Sequence, residues 1–74
     1  MSAQTVLWRG RKGDAGVVCV LERGCAGVDL QILEGELVSR RERYPDRSTA
    51  YERSQGVRAE FAARGYQIHF VSET

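Results

Sequence analysis

Four arginines, Arg40, Arg41, Arg43 and Arg47, surround Tyr44 in one short stretch of the sequence. Guanidinium groups bind phosphates in a bidentate manner, and an aromatic ring can stack on a base, so this combination is typical of single-stranded nucleic-acid binding. Two carboxylates interrupt the cluster, and the sequence pI of about 7.8 is lower than that of typical basic binding domains. We therefore treat nucleic-acid binding as the alternative function.

Nucleophilic or acid–base chemistry has few candidate residues. Cys19 and Cys25 are six positions apart, and His69 is the only histidine, so neither a CxxC pair nor a Cys2His2 zinc set is present. A Cys25–His69 nucleophile–base pair requires the end of the chain to fold back. Glu34 and Glu36 flank a hairpin glycine, and because the tip of a hairpin is exposed to solvent, we interpret them as a polar turn. We predict no catalytic residue, no metal ligand, no cofactor and two unlinked thiols, and hence a non-enzymatic protein.

Composition excludes several classes of partner. The net charge is +1 and the hydrophobic content is 42%, so the chain is neither disordered nor strongly attracted to polyanions as a whole. No apolar run approaches the roughly 20 residues that span a bilayer, and the first residues lack the basic and apolar regions of a secretion signal. These features predict a cytoplasmic protein without a membrane partner. Ten of the eleven basic residues are Arg, which phosphate recognition or a GC-rich genome explains.

The spacing of apolar residues changes at Pro45. Before this proline they recur at every second position, and after it at every third or fourth, which predicts strands followed by a helix. Glycine-containing segments at 10–16, 23–27 and 34–35 are predicted to connect the strands. The expected elements of this single domain, residues 1–74, are strands at about 5–9, 17–22, 28–33 and 36–44, a helix at about 47–64, and a fifth strand or a packing tail at 66–71.

These elements predict an α+β fold, an antiparallel meander of three to four strands packed against one C-terminal helix. Asp46 or Ser48 is expected to cap the helix at its start, and Gly65 is expected to end it. One stripe of the helix would face the sheet, formed by Ala50, Ser54, Val57 and Phe61.

The hairpin sequence at 27–37, the Arg-rich strand at 40–44 and the Arg64-Gly65-Tyr66 end of the helix resemble a family of small bacterial proteins with no assigned activity. The similarity covers roughly two-thirds of the chain, from about Cys19 to Tyr66. It implies a short antiparallel sheet followed by one helix. Because the shared residues are turn and packing residues, it implies no activity.

The predicted second strand is apolar on both faces, whereas a single helix covers only one. With Cys19, Leu21, Leu30 and Ile32 toward the helix, the other face would need a cover. It would collect apolar residues of the first three strands, namely Val6, Trp8, Val18, Val20 and Leu33. The cover is either the end of the same chain, a second copy, or another protein. We predict an interaction or scaffold protein that forms a homodimer through this face or an edge, with anchors at Trp8, Val18, Val20 and Phe70.

Overall fold

The computed structural model describes residues 3–70 and confirms the α+β fold class. Five antiparallel strands form one sheet in the order β4-β3-β2-β1-β5, and one helix precedes the last strand. The elements are β1 (Ala3–Lys12), β2 (Ala15–Gly24), β3 (Gly27–Glu34), β4 (Leu37–Tyr44), α1 (Arg47–Ala63) and β5 (Gln67–Phe70).

The first four strands are joined by two-residue turns at residues 13–14, 25–26 and 35–36. The predicted loops at 10–16 and 23–27 contain these turns but were too long, because Gly10, Gly16, Gly24 and Gly27 pair across the hairpins. Glu36 lies in a turn rather than in the fourth strand. Gly13 and Gly35 have φ values of 59° and 64°, and this left-handed conformation is the one that tight hairpin turns require.

The fifth strand pairs antiparallel with β1, so the end of the chain completes its own sheet. The last residue of the predicted strand, Val71, lies outside the described residues. Gly10 makes the close packing at this junction possible, since a Cβ there would lie 2.8 Å from Val17 Cγ1 and 2.9 Å from Ile68 Cδ1.

Helix α1 begins after Asp46, whose carboxylate accepts a 2.8 Å hydrogen bond from the Thr49 amide. Asp46 is thus the N-cap, one of the two predicted candidates. At the other end, Gly65 takes a φ of 98°, and Lys12 Nζ donates a 2.6 Å hydrogen bond to the Arg64 carbonyl. The buried residues of the helix are the four of the predicted stripe.

The core lies between this stripe and one face of the sheet. Phe61 is central to it, with ring centroids 6.0 Å from Trp8 and 5.1 Å from Tyr66. The strand residues of the core are Trp8, Val17, Cys19, Leu21, Leu30 and Ile32. The predicted helix-facing set of β2 and β3 is therefore correct, and we refer to the opposite side of the sheet as the open face.

Candidate interaction surface

Trp8 belongs to the core and not to the open face, which corrects its predicted role as an interface anchor. Strict alternation would place Trp8 on the same side as Val6. The pairing of β1 with β2 shifts between these two residues, so that Val6 pairs with Val20 but Trp8 pairs with Cys19. This β-bulge at Leu7 turns the indole toward the helix, where Trp8 is completely buried and its Nε1 donates a 3.3 Å hydrogen bond to the Ser54 carbonyl.

The register places an apolar band across four strands of the open face. Val38 pairs with Leu33, and Leu33 pairs with Val18, which gives one row from β4 to β2. Val20 and Val6 form the neighbouring row on β2 and β1. Since directly paired residues share a face of the sheet, these five side chains are contiguous. We call them the apolar band.

Exposure differs along the apolar band. Val20 is only 7% exposed because it lies in the middle of the sheet between neighbouring side chains, whereas Val6, Val18 and Leu33 are half-buried. Val38 is 51% exposed. The band is thus partly shielded within the chain and most accessible at its β4 end. Sequence alternation already placed Val6 and Leu33 on this side, but it did not identify Val38.

Polar residues at one end of the open face are paired with each other. Gln4 Nε2 donates a 2.8 Å hydrogen bond to Glu22, and Arg43 Nε donates a 3.0 Å bond to Asp29. The hydrogen bond from Arg43 is the main reason that the pKa of Asp29 is lowered from its ordinary value. Among residues 3–70, both carboxylates of the open face, Glu22 and Asp29, lie at this end, next to the turn at 25–26.

The other end of the open face is basic. His69 pairs with Arg9, and Gln67 pairs with Arg11, in the register that joins β5 to β1. All four side chains are exposed. Among residues 3–70, neither arginine has a carboxylate within salt-bridge distance. The open face therefore carries Glu22 and the Asp29–Arg43 ion pair at one end and the unpaired Arg9 and Arg11 at the other, with the apolar band and Arg41 between them.

The four arginines predicted for nucleic-acid binding do not form one surface. A second register shift leaves Ser39 without a directly paired residue on β3 and turns Arg40 toward the helix. There the Arg40 Nη1 atom lies 3.4 Å from Glu60 Oε2. Arg41 and Arg43 are on the open face, and Arg47 is at the start of the helix. These arginines are close together in the sequence, but the pleat and the bulge of β4 place Arg40 on the opposite side of the sheet from Arg41 and Arg43.

Tyr44 is also engaged within the chain. Its hydroxyl donates a hydrogen bond to Glu42, and Arg53 lies 3.3 Å from the same carboxylate. The bond from Tyr44, followed by that from Arg53, lowers the pKa of Glu42. A half-buried ring held in this way does not present a stacking platform for bases.

Phe70, the last predicted anchor, shares a face with Trp8 because the two residues pair directly. It lies on the helix side of the sheet, where it is 60% exposed and the Arg58 guanidinium is 5.5 Å from its ring centre. Of the four predicted anchors, only Val18 and Val20 are therefore on the open face.

The exposed thiol, Cys25, and the histidine, His69, are far apart, and the other thiol, Cys19, is buried. Burial raises the pKa of Cys19 to about 12, which removes the nucleophilic thiolate at neutral pH. Cys25 is exposed in the turn that follows β2. Because His69 pairs with Arg9, and Arg9 pairs with Val18, the histidine lies seven strand positions from Cys25, about 23 Å along the sheet. Residues 3–70 hold no group of three His, Cys, Asp or Glu side chains positioned for a metal.

Comparison with protein-family models, with curated proteins and with solved structures finds no match for this chain. The resemblance to a family of small bacterial proteins thus stays a prediction. Within the described part of the chain, no helix is long and apolar enough to cross a membrane.

Proposed function

We propose that this protein is a non-enzymatic interaction module that associates with a second copy of itself through the open face. The observation that carries the proposal is the apolar band, which crosses four strands on the side of the sheet opposite to the helix. A half-solvated antiparallel sheet normally carries polar residues on its outer face. Apolar residues in its central strands favour burial against another surface.

The charges of the open face favour a second copy as the partner. Glu22 and Asp29 lie at the end near the turn at 25–26, and Arg9 and Arg11 lie at the opposite end. When two copies face each other with their strands antiparallel, the end that carries Glu22 and the Asp29–Arg43 pair meets the end of the other copy that carries the unpaired Arg9 and Arg11. Complementary charges in this arrangement would steer association and fix its register.

The size of the open face sets the expected strength of this association. Five strands spaced about 4.8 Å apart and about eight residues long give roughly 600 Å² per copy. This area is below the roughly 800 Å² per partner of a standard interface. We therefore expect a reversible dimer rather than a permanent one.

Neighbouring residues on β4 provide a matched test. Val38 is 51% exposed on the open face, and Leu37 is 74% exposed on the opposite face. Val38→Glu and Leu37→Glu place the same charge on the same strand with little cost to folding. Molar mass by light scattering over a concentration series, at low and high salt, should show a dimer for the wild type and Leu37→Glu and a monomer for Val38→Glu.

Two results would contradict the proposal. A wild-type protein that stays monomeric to millimolar concentration has no self-association to explain. Equal effects of the two substitutions would place the contact at the edge of β4 and not on the open face, because an edge contact involves both residues.

We infer nucleic-acid binding as the second candidate, and the observation that favours it is a set of unpaired arginines. In the described part of the chain, Arg9, Arg11 and Arg41 are exposed on the open face without a salt bridge. Arg41→Ala and Arg40→Ala form a matched pair, because they remove adjacent arginines from opposite faces. Binding of single-stranded DNA by the open face would weaken steeply with salt and would be reduced by Arg41→Ala alone.

A further inference from the structure

A cavity of about 340 Å³ lies on the helix side of the sheet, away from the open face, and its lining residues are Thr5, Leu21, Arg23, Val28 and Arg47. Its volume is in the range of small-molecule sites. The two cross-strand pairs Thr5–Leu21 and Arg23–Val28 supply the strand side of this cavity. The first residue of the helix, Arg47, supplies the other side.

The lining combines an apolar part with two cations. Leu21 is 4% exposed and belongs to the core, and Val28 packs against the core. Arg23 and Arg47 are exposed. Neither arginine has a carboxylate within salt-bridge distance among residues 3–70. Two cations that line one cavity without a carboxylate partner favour the binding of an anion there.

We propose that this cavity binds a small molecule with one anionic head and a short apolar chain. The head is a carboxylate or a phosphomonoester, since both accept the paired hydrogen bonds that a guanidinium donates. Arg23 and Arg47 bind the head, the Thr5 hydroxyl is within the same lining, and Leu21 and Val28 contact the chain. The site is independent of the open face and of self-association.

Octanoate and octyl phosphate are suitable probes, with octanol and inorganic phosphate as the two partial ligands. In a methyl NMR titration, each amphiphilic anion should shift the resonances of Leu21 and Val28 in a saturable way. Octanol lacks the charge and inorganic phosphate lacks the chain, so both should bind at least tenfold more weakly. Whichever of the two anions binds more tightly identifies the head group.

Substitutions assign the binding to the two arginines. Arg23→Gln and Arg47→Gln should each weaken binding roughly tenfold, as expected for the loss of a charge-assisted contact. Arg53→Gln, on the same helix, removes an equal charge outside the cavity and should leave the affinity unchanged.

Three results would overturn the proposal. The first is that neither anion produces a saturable shift at millimolar concentration. The second is that octanol binds as tightly as octanoate. The third is that Arg53→Gln weakens binding as much as Arg47→Gln. The second result would show a purely apolar cavity, and the third would show non-specific attraction to a basic surface.

Discussion

Substitution of Trp8 distinguishes a core residue from an interface anchor. The side chain is fully buried, and its indole nitrogen donates a hydrogen bond to the Ser54 carbonyl. Trp8→Phe removes that bond, at a cost of about 0.5–1.5 kcal/mol. The smaller ring leaves a void larger than a methyl group, which costs at least about 1 kcal/mol more. We therefore expect the free energy of unfolding to fall by about 2 kcal/mol.

That loss is large for this chain. At 0.05–0.15 kcal/mol per residue, a domain of 74 residues is stable by roughly 4–11 kcal/mol. A loss of 2 kcal/mol corresponds to a decrease in Tm of about 8–16 °C. Trp8→Ala, at about 3–5 kcal/mol, would leave the chain close to unfolding, so the phenylalanine variant is the more informative one.

Urea unfolding followed by far-UV circular dichroism measures this effect without relying on tryptophan fluorescence. Phe70→Leu is the control, since Phe70 is 60% exposed. Removal of its ring should lower the free energy of unfolding by about 1 kcal/mol or less. The two variants should differ in midpoint at every protein concentration. If Trp8→Phe unfolds like the wild type when dilute and loses only association when concentrated, the indole is an interface residue and the proposed core packing is wrong.

Three further substitutions or modifications test other parts of the fold. Gly10→Ala should destabilise the protein by about 1–3 kcal/mol through overpacking. Gly16→Ala should be neutral in the same urea titration, because no atom lies within 4 Å of the added Cβ. Equal effects of the two substitutions would contradict the close packing of Gly10 against β5. Asp46→Ala should lower Tm at neutral pH. Hydrogen bonds from the backbone and side chain of Thr49 lower the pKa of the Asp46 carboxyl below its ordinary value of 3.8. The stabilisation by Asp46 is therefore present above pH 3.8 and is lost as the pH falls through the lowered pKa. Mass spectrometry after iodoacetamide treatment of the folded protein should show one alkylated thiol, Cys25, because Cys19 is buried with its pKa raised to about 12. Rapid alkylation of both cysteines would contradict the burial of Cys19.

Much of the fold follows from local patterns in the sequence. Alternation in β2 and β3 identifies the residues that face the helix, and the spacing after Pro45 identifies the stripe of Ala50, Ser54, Val57 and Phe61. Residue type and position limited the N-cap to Asp46 or Ser48, and the structure selects Asp46. These predictions hold because periodicity of two or 3.6 is a property of the backbone itself, so it is visible wherever the element is regular.

The candidate surfaces were less predictable because two β-bulges break the alternation. The bulge at Leu7 moves Trp8 from the open face to the core, and the bulge at Ser39 turns Arg40 toward the helix. Neither bulge has a distinctive residue such as glycine at the shifted position. Each bulge moves the side chains that follow it to the other face of the sheet, and no residue type in the sequence marks the position where this happens.

The sequence by itself therefore determined the types of the first four strands and the helix, the antiparallel α+β class, and the helix-facing side chains Cys19, Leu21, Leu30 and Ile32. The tertiary structure alone decided that β5 pairs with β1 and that the arginines of β4 separate onto two faces. It also decided that Arg23 and Arg47 line one cavity. Strand order and cross-strand register depend on contacts between residues that are distant in the sequence, and local periodicity carries no information about those contacts.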